Sequence, residues 1–296
     1  MISVLMTVYN EPEEWLNSSV HSLLKSLGKS DEVIIVVDNP KYNFKLLENL
    51  QRNDSRIKAV VNEKNIGLPA SLNKAFGFSK GNLIARMDAD DITYPDRFKE
   101  SIKYMNKGQF DFISTQVMDI DEFGDQYPWR IIDAPKIKNV GSIMKFANIF
   151  WHPTWLLKRH VFETLGGYRE IFGAEDYDFI ARAYLSGFKI GVLDKVELSK
   201  RQVKSGISQK WAYVQMKNAN LIKRELKHKE VLQLDTFLIK KHYPEAEPYC
   251  ELVHRYSESK KFEKISILIQ CMFSCLGWQF IRSQVDMKIA ERIAGR

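Results

Sequence analysis

Cysteine is nearly absent: Cys250, Cys271 and Cys275 are the only three, all late, odd in number and without zinc-like spacing. They argue against a disulfide framework and a cysteine-built metal cluster, and they point to a reducing compartment. No long apolar run is present either. The longest uncharged stretch, Ile265 to Ile281, contains Ser266, Gln270, Ser274 and Gln279, and it falls short of the roughly 20 apolar residues a spanning helix needs. The first strand-like run begins at Ile2 with no basic segment and apolar core ahead of it. A secretory signal is therefore not expected, and a cytoplasmic protein is predicted. Internal repeats, low-complexity segments and nucleic-acid motifs are also missing, so nucleic acid is not an expected partner.

What is present is an ordinary globular composition: 296 residues, 45% of them hydrophobic, with a formal net charge of +7. That is enough chain for a sizeable core in one large domain or two. The charge is unevenly placed. Up to Leu198 there are 25 basic and 27 acidic residues, whereas from Ser199 onward there are 19 basic and 10 acidic. A basic excess confined to the C-terminal region suggests an anionic surface as partner, with the inner face of a membrane weighed against a simply solvated basic face.

The first half alternates strand and helix signals. Ser3 to Tyr9 and Glu32 to Val37 are β-branched apolar runs, and Glu13 to Leu27 between them carries Trp15, Leu16, Val20, Leu23, Leu24 and Leu27 at helical spacing. Strands at Ile57 to Val61 and Asn82 to Met87 flank a helix at Leu68 to Phe78, which predicts a parallel sheet covered by helices. A helix follows at Asp96 to Met105, then a strand at Phe110 to Ile120. Past the turn at Phe123-Gly124-Asp125 the sheet is expected to become mixed. Helical patterns lie at Val140 to Phe150, Val161 to Leu165 and Asp176 to Leu185, with a late strand at Lys189 to Leu193. Beyond Ser208 the strand signals stop. The expected organisation is an α/β domain over residues 1–208 and a basic helical region over 209–296.

The densest chemistry is Arg86-Met87-Asp88-Ala89-Asp90-Asp91, three carboxylates at a strand end. Ligands of α/β sheets bind at that end. Repelling carboxylates suit a hard cation such as Mg²⁺ or Mn²⁺, and equally a polar turn ahead of Pro95. Thr7-Val8-Tyr9-Asn10 and Asp38-Asn39-Pro40 end the first two strands beside it. Asn65-Ile66-Gly67-Leu68 leads into a helix whose free N–H groups favour an anion, or is a simple turn. Gly173-Ala174-Glu175-Asp176-Tyr177-Asp178 opens another helix, where the acids serve either as dipole-matched capping charges or as a general base. Trp151-His152-Pro153-Thr154 offers an imidazole, structural or functional, and Arg201, Lys204, Ser205 and Ser208 form a basic, hydroxyl-rich loop.

Taken together and in this order, these elements resemble the family 2 glycosyltransferases, which have the GT-A fold. The matches are Thr7 to Asn10, Val37-Asp38, Asn65 with Gly67 and Asn73, Arg86 with Asp88 to Asp91, Gly166 to Arg169, Glu175-Asp176, and Arg201 with Ser208. The fold implied is a Rossmann-like mixed sheet flanked by helices with a C-terminal helical extension. The activity implied is transfer of a sugar from a nucleotide diphosphate donor, a UDP-sugar, to a saccharide or lipid-linked saccharide acceptor, with inversion, as in bacterial surface polysaccharide synthesis.

By that resemblance Thr7, Tyr9, Asn10, Asp38, Asn65, Gly67, Arg86 and Asp88 bind the nucleotide. Asp90 holds Mn²⁺ or Mg²⁺; His152, Arg201 and Lys204 serve the diphosphate or acceptor; Asp176 is the base with Glu175 beside it. The chain departs from many relatives in having Asn39-Pro40 after Asp38, and Gln202, Val203 and Lys204 where a histidine is common. Two other readings stand beside this one. Asp88 to Thr93 loosely resembles the nucleophile motif of haloacid dehalogenase-like phosphatases, and a nucleotide-binding module without catalysis would share the strand-end residues.

Overall fold

The computed structural model describes residues 1–126, 139–203, 211–239, 243–259, 261–272 and 274–294. In chain order the N-terminal half contains β1 (Ile2–Val8), α1 (Glu13–Ser26), β2 (Glu32–Val37), α2 (Lys45–Asn53), β3 (Ile57–Val61), α3 (Leu68–Phe78), β4 (Leu83–Arg86), β5 (Ile92–Thr93), α4 (Arg97–Gly108) and β6 (Phe112–Ile120). There follow α5 (Val140–Met144), β7 (Leu156–Lys158), α6 (Arg159–Leu165), α7 (Glu175–Leu185) and β8 (Ile190–Arg201). The described C-terminal helices are α8 (Ala212–His228), α9 (Ala246–Glu258), α10 (Lys261–Cys271) and α11 (Cys275–Ala294).

All eight strands form one sheet in the order β3-β2-β1-β4-β7-β6-β8-β5. The first four are mutually parallel. β7 runs antiparallel to both β4 and β6, so the sheet becomes mixed where the sequence signals weaken. Period-two alternation assigns each strand's residues to two cores. Val4, Met6, Val8, Val33, Ile35 and Val37 pack with Leu16, Val20 and Leu23 of α1, Leu47 of α2, and Phe98 and Met105 of α4. Leu5, Ile34 and Val36 belong to the opposite core, with Leu72 of α3 and Phe179 and Ile180 of α7. Fully burying such a side chain is worth about 1.5–3 kcal/mol.

The C-terminal helices do not hang free of this sheet. Ile222 and Leu226 of α8 and Ala290 and Ala294 of α11 are buried in the second core. Asn139 Nδ2 also donates to the Ile293 carbonyl at 3.1 Å. A third cluster of Tyr213, Met216, Tyr249, Ile267, Cys271 and Phe280 joins α8 to α9, α10 and α11. None of the described helices is long and apolar enough to cross a membrane.

Several elements differ from the sequence expectation, among them the short β5, which was not expected. Helix α2 was not expected, although its buried Leu47 and Leu50 stand at i and i+3. Helix α5 stops at Met144 rather than continuing to Phe150. Strand β8 runs on to Arg201 rather than ending near Leu193. Its exposed Asp194-Lys195 pair interrupts the apolar run, and the register against β6 slips there, from Thr115↔Leu193 to Gln116↔Val196. A bulge accommodates polar residues that a regular strand would have to bury.

Candidate active site

The strand ends meet around Asp38. Its Oδ1 accepts from the Ile66 N–H and from Asn62 Nδ2, each at 2.8 Å, and its Oδ2 accepts from the Gly67 N–H at 2.8 Å. Gly67, at φ 87°, turns the chain into α3, and Asn65 Oδ1 also accepts its N–H at 3.1 Å. A side chain at Gly67 would be strained in that conformation. Asp38 thus fixes the loop that carries Asn65 and Gly67. Thr7 is half-buried, while Tyr9 and Asn10 are exposed. Asn39, which follows Asp38, donates to the Tyr9 carbonyl at 3.0 Å and to Asn10 Oδ1 at 2.6 Å, tying the first two strand ends together.

Beyond β4 the acidic run is packed rather than splayed. Arg86 is buried and ion-paired with Asp88, and its Nε and Nη1 have no hydrogen-bond partner among the described residues. Asp91 is buried too; its Oδ1 accepts the Arg201 backbone N–H at 2.9 Å and its Oδ2 is unpartnered among the described residues. The Arg201 guanidinium lies over Trp15 at 4.9 Å and donates from Nε to the Asp90 carbonyl at 3.0 Å and from Nη1 to the Asp121 and Glu122 carbonyls at 2.9 Å. Arg201 therefore braces the acidic turn from behind.

Burial, then the charges of Asp88 and Glu11, push Asp90 up to about 7. Burial, then Asp88 and Asp90, holds Asp91 well above the usual carboxylate range. One oxygen from each of Asp88, Asp90 and Asp91 lies within 4.8 Å of the others. Such close anionic donors, one of them short of a partner, fit a hard divalent cation, which would relieve the repulsion that protons otherwise relieve. Glu11 belongs to the same neighbourhood. Burial raises its pKa, and its Oε2 accepts the Tyr9 N–H at 2.6 Å.

A second carboxylate group comes from the first turn of α7. Asp176 Oδ2 accepts from Asn148 Nδ2 at 2.9 Å and its Oδ1 from the Tyr177 N–H at 2.7 Å. Burial raises Asp176, and it pushes Glu175 up to about 8, with the Asp176 charge adding to the effect. Glu175 keeps its proton near neutrality, while Asp176 beside it is held by two hydrogen-bond donors. Asp178 is different. It is fully buried and takes Arg182 Nε at 2.9 Å and Arg169 Nε at 3.0 Å, so it holds the fold together.

His152 sits buried in a short 3₁₀ turn, with Nε2 2.7 Å from the Tyr168 hydroxyl. Burial, aided by the Arg86 charge, drives its pKa well down, so the imidazole is neutral. Tyr168 is in turn stapled to α3 by Asn73, whose Nδ2 donates to the Tyr168 carbonyl and whose Oδ1 accepts its N–H, both at 2.8 Å.

One cavity of about 1020 Å³ collects Arg86, Asp88, Asp90, His152, Glu175, Asp176 and Arg201. Among the described residues, Thr7, Tyr9, Asn10, Asp38, Asn65 and Gly67 do not line it, although Ile66 between Asn65 and Gly67 does, as do Leu68 and Pro69 at the start of α3. Lys204, Ser205 and Ser208 lie outside the described residues. Sequence reasoning missed Glu11, Asn148 and Lys200, all lining. Glu11 stands one place beyond the strand-end motif, a signal that was available; Asn148 carried none. It also missed the contribution of Gln215, Lys223, Phe280 and Met287 from α8 and α11.

Comparison with known proteins agrees with this geometry. The chain is 32% identical over 204 residues to the uncharacterized glycosyltransferase MJ1057 of Methanocaldococcus jannaschii, a match spanning 68% of this chain and 70% of the relative. It is 32% identical over 186 residues to the O-antigen biosynthesis glycosyltransferase WbnJ of Escherichia coli, spanning 62% of this chain and 71% of that one. In fold it resembles the mannosyltransferase PcManGT of Pyrobaculum calidifontis, solved with GDP-Man and Mn²⁺, with a TM-score of 0.61 at 14% identity over 99% of this chain and 86% of that one. The acidic run follows the fourth strand rather than the first, which removes the basis of the phosphatase alternative. Residues 3–166 match the family described as Glycosyl transferase family 2, more than half of the chain, and on that ground this protein belongs to glycosyltransferase family 2, with the GT-A fold.

Proposed function

We propose that this protein is an inverting, metal-dependent glycosyltransferase that moves a sugar from a UDP-sugar to an acceptor hydroxyl during synthesis of a bacterial surface polysaccharide. The observation that carries the proposal is the presence of two separate carboxylate groups in one cavity, the acidic run after β4 and the Glu175-Asp176 pair of α7. Transfer with inversion needs one group to neutralise a leaving diphosphate and one base for the acceptor, and no covalent nucleophile. The O-antigen role of WbnJ supports the polysaccharide setting, and the Mn²⁺ and GDP-Man of PcManGT support metal and nucleotide-sugar use.

In this scheme residues 1–208 form the catalytic domain. Thr7, Tyr9, Asn10, Arg86 and Asp88 surround the nucleoside, and Asp38 sets the backbone of Asn65 and Gly67 against it. Asp90, with Asp88 and Asp91 beside it, would hold Mn²⁺ or Mg²⁺, which offsets charge on the diphosphate when bound. Asp176 removes the acceptor hydroxyl proton as that oxygen bonds to the anomeric carbon and the carbon–phosphate oxygen bond breaks. Glu175, still protonated, donates a hydrogen bond to a sugar oxygen. His152, neutral and fixed by Tyr168, lies beside Arg86 and shapes the donor end, and Arg201 and Lys204 serve the diphosphate side.

Peripheral contact with an anionic inner membrane face belongs to the same proposal. It is supported by the C-terminal basic excess, by Ile265 and Ile269, exposed at i and i+4 of α10, and by exposed Met272 just after that helix. Co-sedimentation with phosphatidylglycerol vesicles at low salt, released at high salt, is expected; failure to sediment removes the membrane claim. The function is tested by screening UDP- and GDP-sugars for thermal stabilisation and hydrolysis with Mn²⁺, Mg²⁺ or chelator. One donor should stabilise and turn over only with a divalent cation. No stabilisation by any nucleotide sugar refutes the transferase scheme, and turnover in chelator refutes its metal dependence.

A further inference from the structure

We propose that Asn148 is a positioning residue for the reaction: from the segment after α5 it holds one oxygen of the Asp176 carboxylate, aiming the base and favouring its ionised form. This rests on Asp176 being the base and goes beyond it by naming the group that orients it. Asp176 Oδ1 accepts the Tyr177 N–H of its own helix at 2.7 Å, which ties one end of the carboxylate to α7. Its Oδ2 accepts from Asn148 Nδ2 at 2.9 Å, a contact from outside that helix. Asn148 is half-buried and lines the cavity with Asp176, while Ala147, Ile149 and Phe150 around it are buried in the core that contains Phe179 and Ile180 of α7. The apolar neighbours anchor the segment, and the polar side chain among them reaches the acid.

A turn-forming role accounts for only half of this amide. Asn148 Oδ1 accepts the Phe150 N–H at 3.1 Å, a local turn that an aspartate would make equally well. An aspartate would set another negative charge against Asp176, whereas the amide presents a donor. With the oxygen committed to the Phe150 N–H, Nδ2 is the end that faces the carboxylate; exchanging the two would oppose like ends at both contacts. A donor to the charged form favours ionisation. Burial pulls the other way and raises Asp176, the Arg86 charge from the end of β4 lowers it, and the Asp178 charge raises it. Glu175 beside it is pushed up to about 8, and burial raises the Tyr168 and Tyr177 hydroxyls, so these three are uncharged near neutrality. Glu170 lines the same cavity. From α8 and α11, Lys223 and Asp286 also approach, paired with each other at 2.7 Å. Asn148 thus supplies, without a charge, a contact that offsets the cost of ionising a buried base.

The test uses the full chain and reads the pH profile of kcat for Mn²⁺-supported hydrolysis of the UDP-sugar that turns over, with water as the acceptor. Asn148→Leu fills the place of the amide without a donor. Its acid limb should move to higher pH by about one unit, with donor affinity by calorimetry within about twofold of wild type. Should Asn148→Leu fail to fold, Asn148→Ala makes the same measurement. Added to Asp176→Asn, either substitution should lower the residual kcat by no more than about twofold, because a group that acts through the base has nothing left to orient. An acid limb unmoved in both variants, or full additivity with Asp176→Asn, overturns the positioning role and leaves the base assignment standing. Wild-type turnover in Asp176→Asn overturns the base assignment and this inference with it. The absence of stabilisation and turnover with every nucleotide sugar overturns the transfer reading and this inference together.

Discussion

The Asp91 carboxylate accepts the backbone N–H of Arg201 at 2.9 Å, joining residues 110 apart in the chain. The same arginine returns a bond to the Asp90 carbonyl at 3.0 Å, so the acidic turn is clamped to the end of β8 from both directions. Asp91→Ala would leave that buried N–H without its acceptor. A loss of about 1–3 kcal/mol in urea-unfolding stability is expected. An unchanged midpoint would show that water replaces the carboxylate.

Asp176→Asn keeps the shape of the proposed base and the Tyr177 N–H contact while removing its ability to take a proton. The kcat should fall by about 10² to 10⁴, with donor affinity by calorimetry within twofold of wild type. Wild-type turnover would exclude Asp176 as the base.

Glu175 gives the reaction and the fold a pH dependence. Its folded pKa of about 8 lies above its ordinary 4.5, with burial as the leading cause. The folded state therefore binds the proton more tightly, and this contribution to stability is full below about 4.5 and is lost as pH rises to about 8. Transfer should rise as Asp176 ionises and decline again near pH 8 as Glu175 loses its proton. In Glu175→Gln the upper decline should vanish and the stability curve should flatten between those limits. A Gln variant with the wild-type upper limb would assign that limb to another group.

Asp90, pushed up to about 7, makes protons compete with a cation for the acidic run. Thermal stabilisation by saturating Mn²⁺ should be larger at pH about 8 than at about 6. Asp90→Asn should abolish most of it. Equal shifts in wild type and variant would move the cation to a different site.

The parallel half of the sheet was legible because β1, β2 and β3 are short β-branched runs and α1 and α3 carry apolar residues at 3.6-residue spacing. The ends of β1, β2 and β4 carried polar residues where such sheets hold ligands. Harder to read were features fixed by distant partners. The span of β8 depends on a bulge opposite Gln116. The role of Asp178 depends on Arg169 and Arg182, and the brace made by Arg201 depends on carbonyls of Asp121 and Glu122. Most of all, the apolar pattern of α8 and α11 announced helices but not what they would face. Spacing identifies a buried side without identifying the surface opposite.

That last arrangement bears on synthesis. The acidic run and the Asp176 pair belong to segments made before the last described helix, which carries Phe280 and Met287. Contacts between distant segments form late because the intervening chain must first be closed into a loop. On a ribosome the two carboxylate groups can approach each other before α11 exists, and the cavity stays open to water until that helix docks.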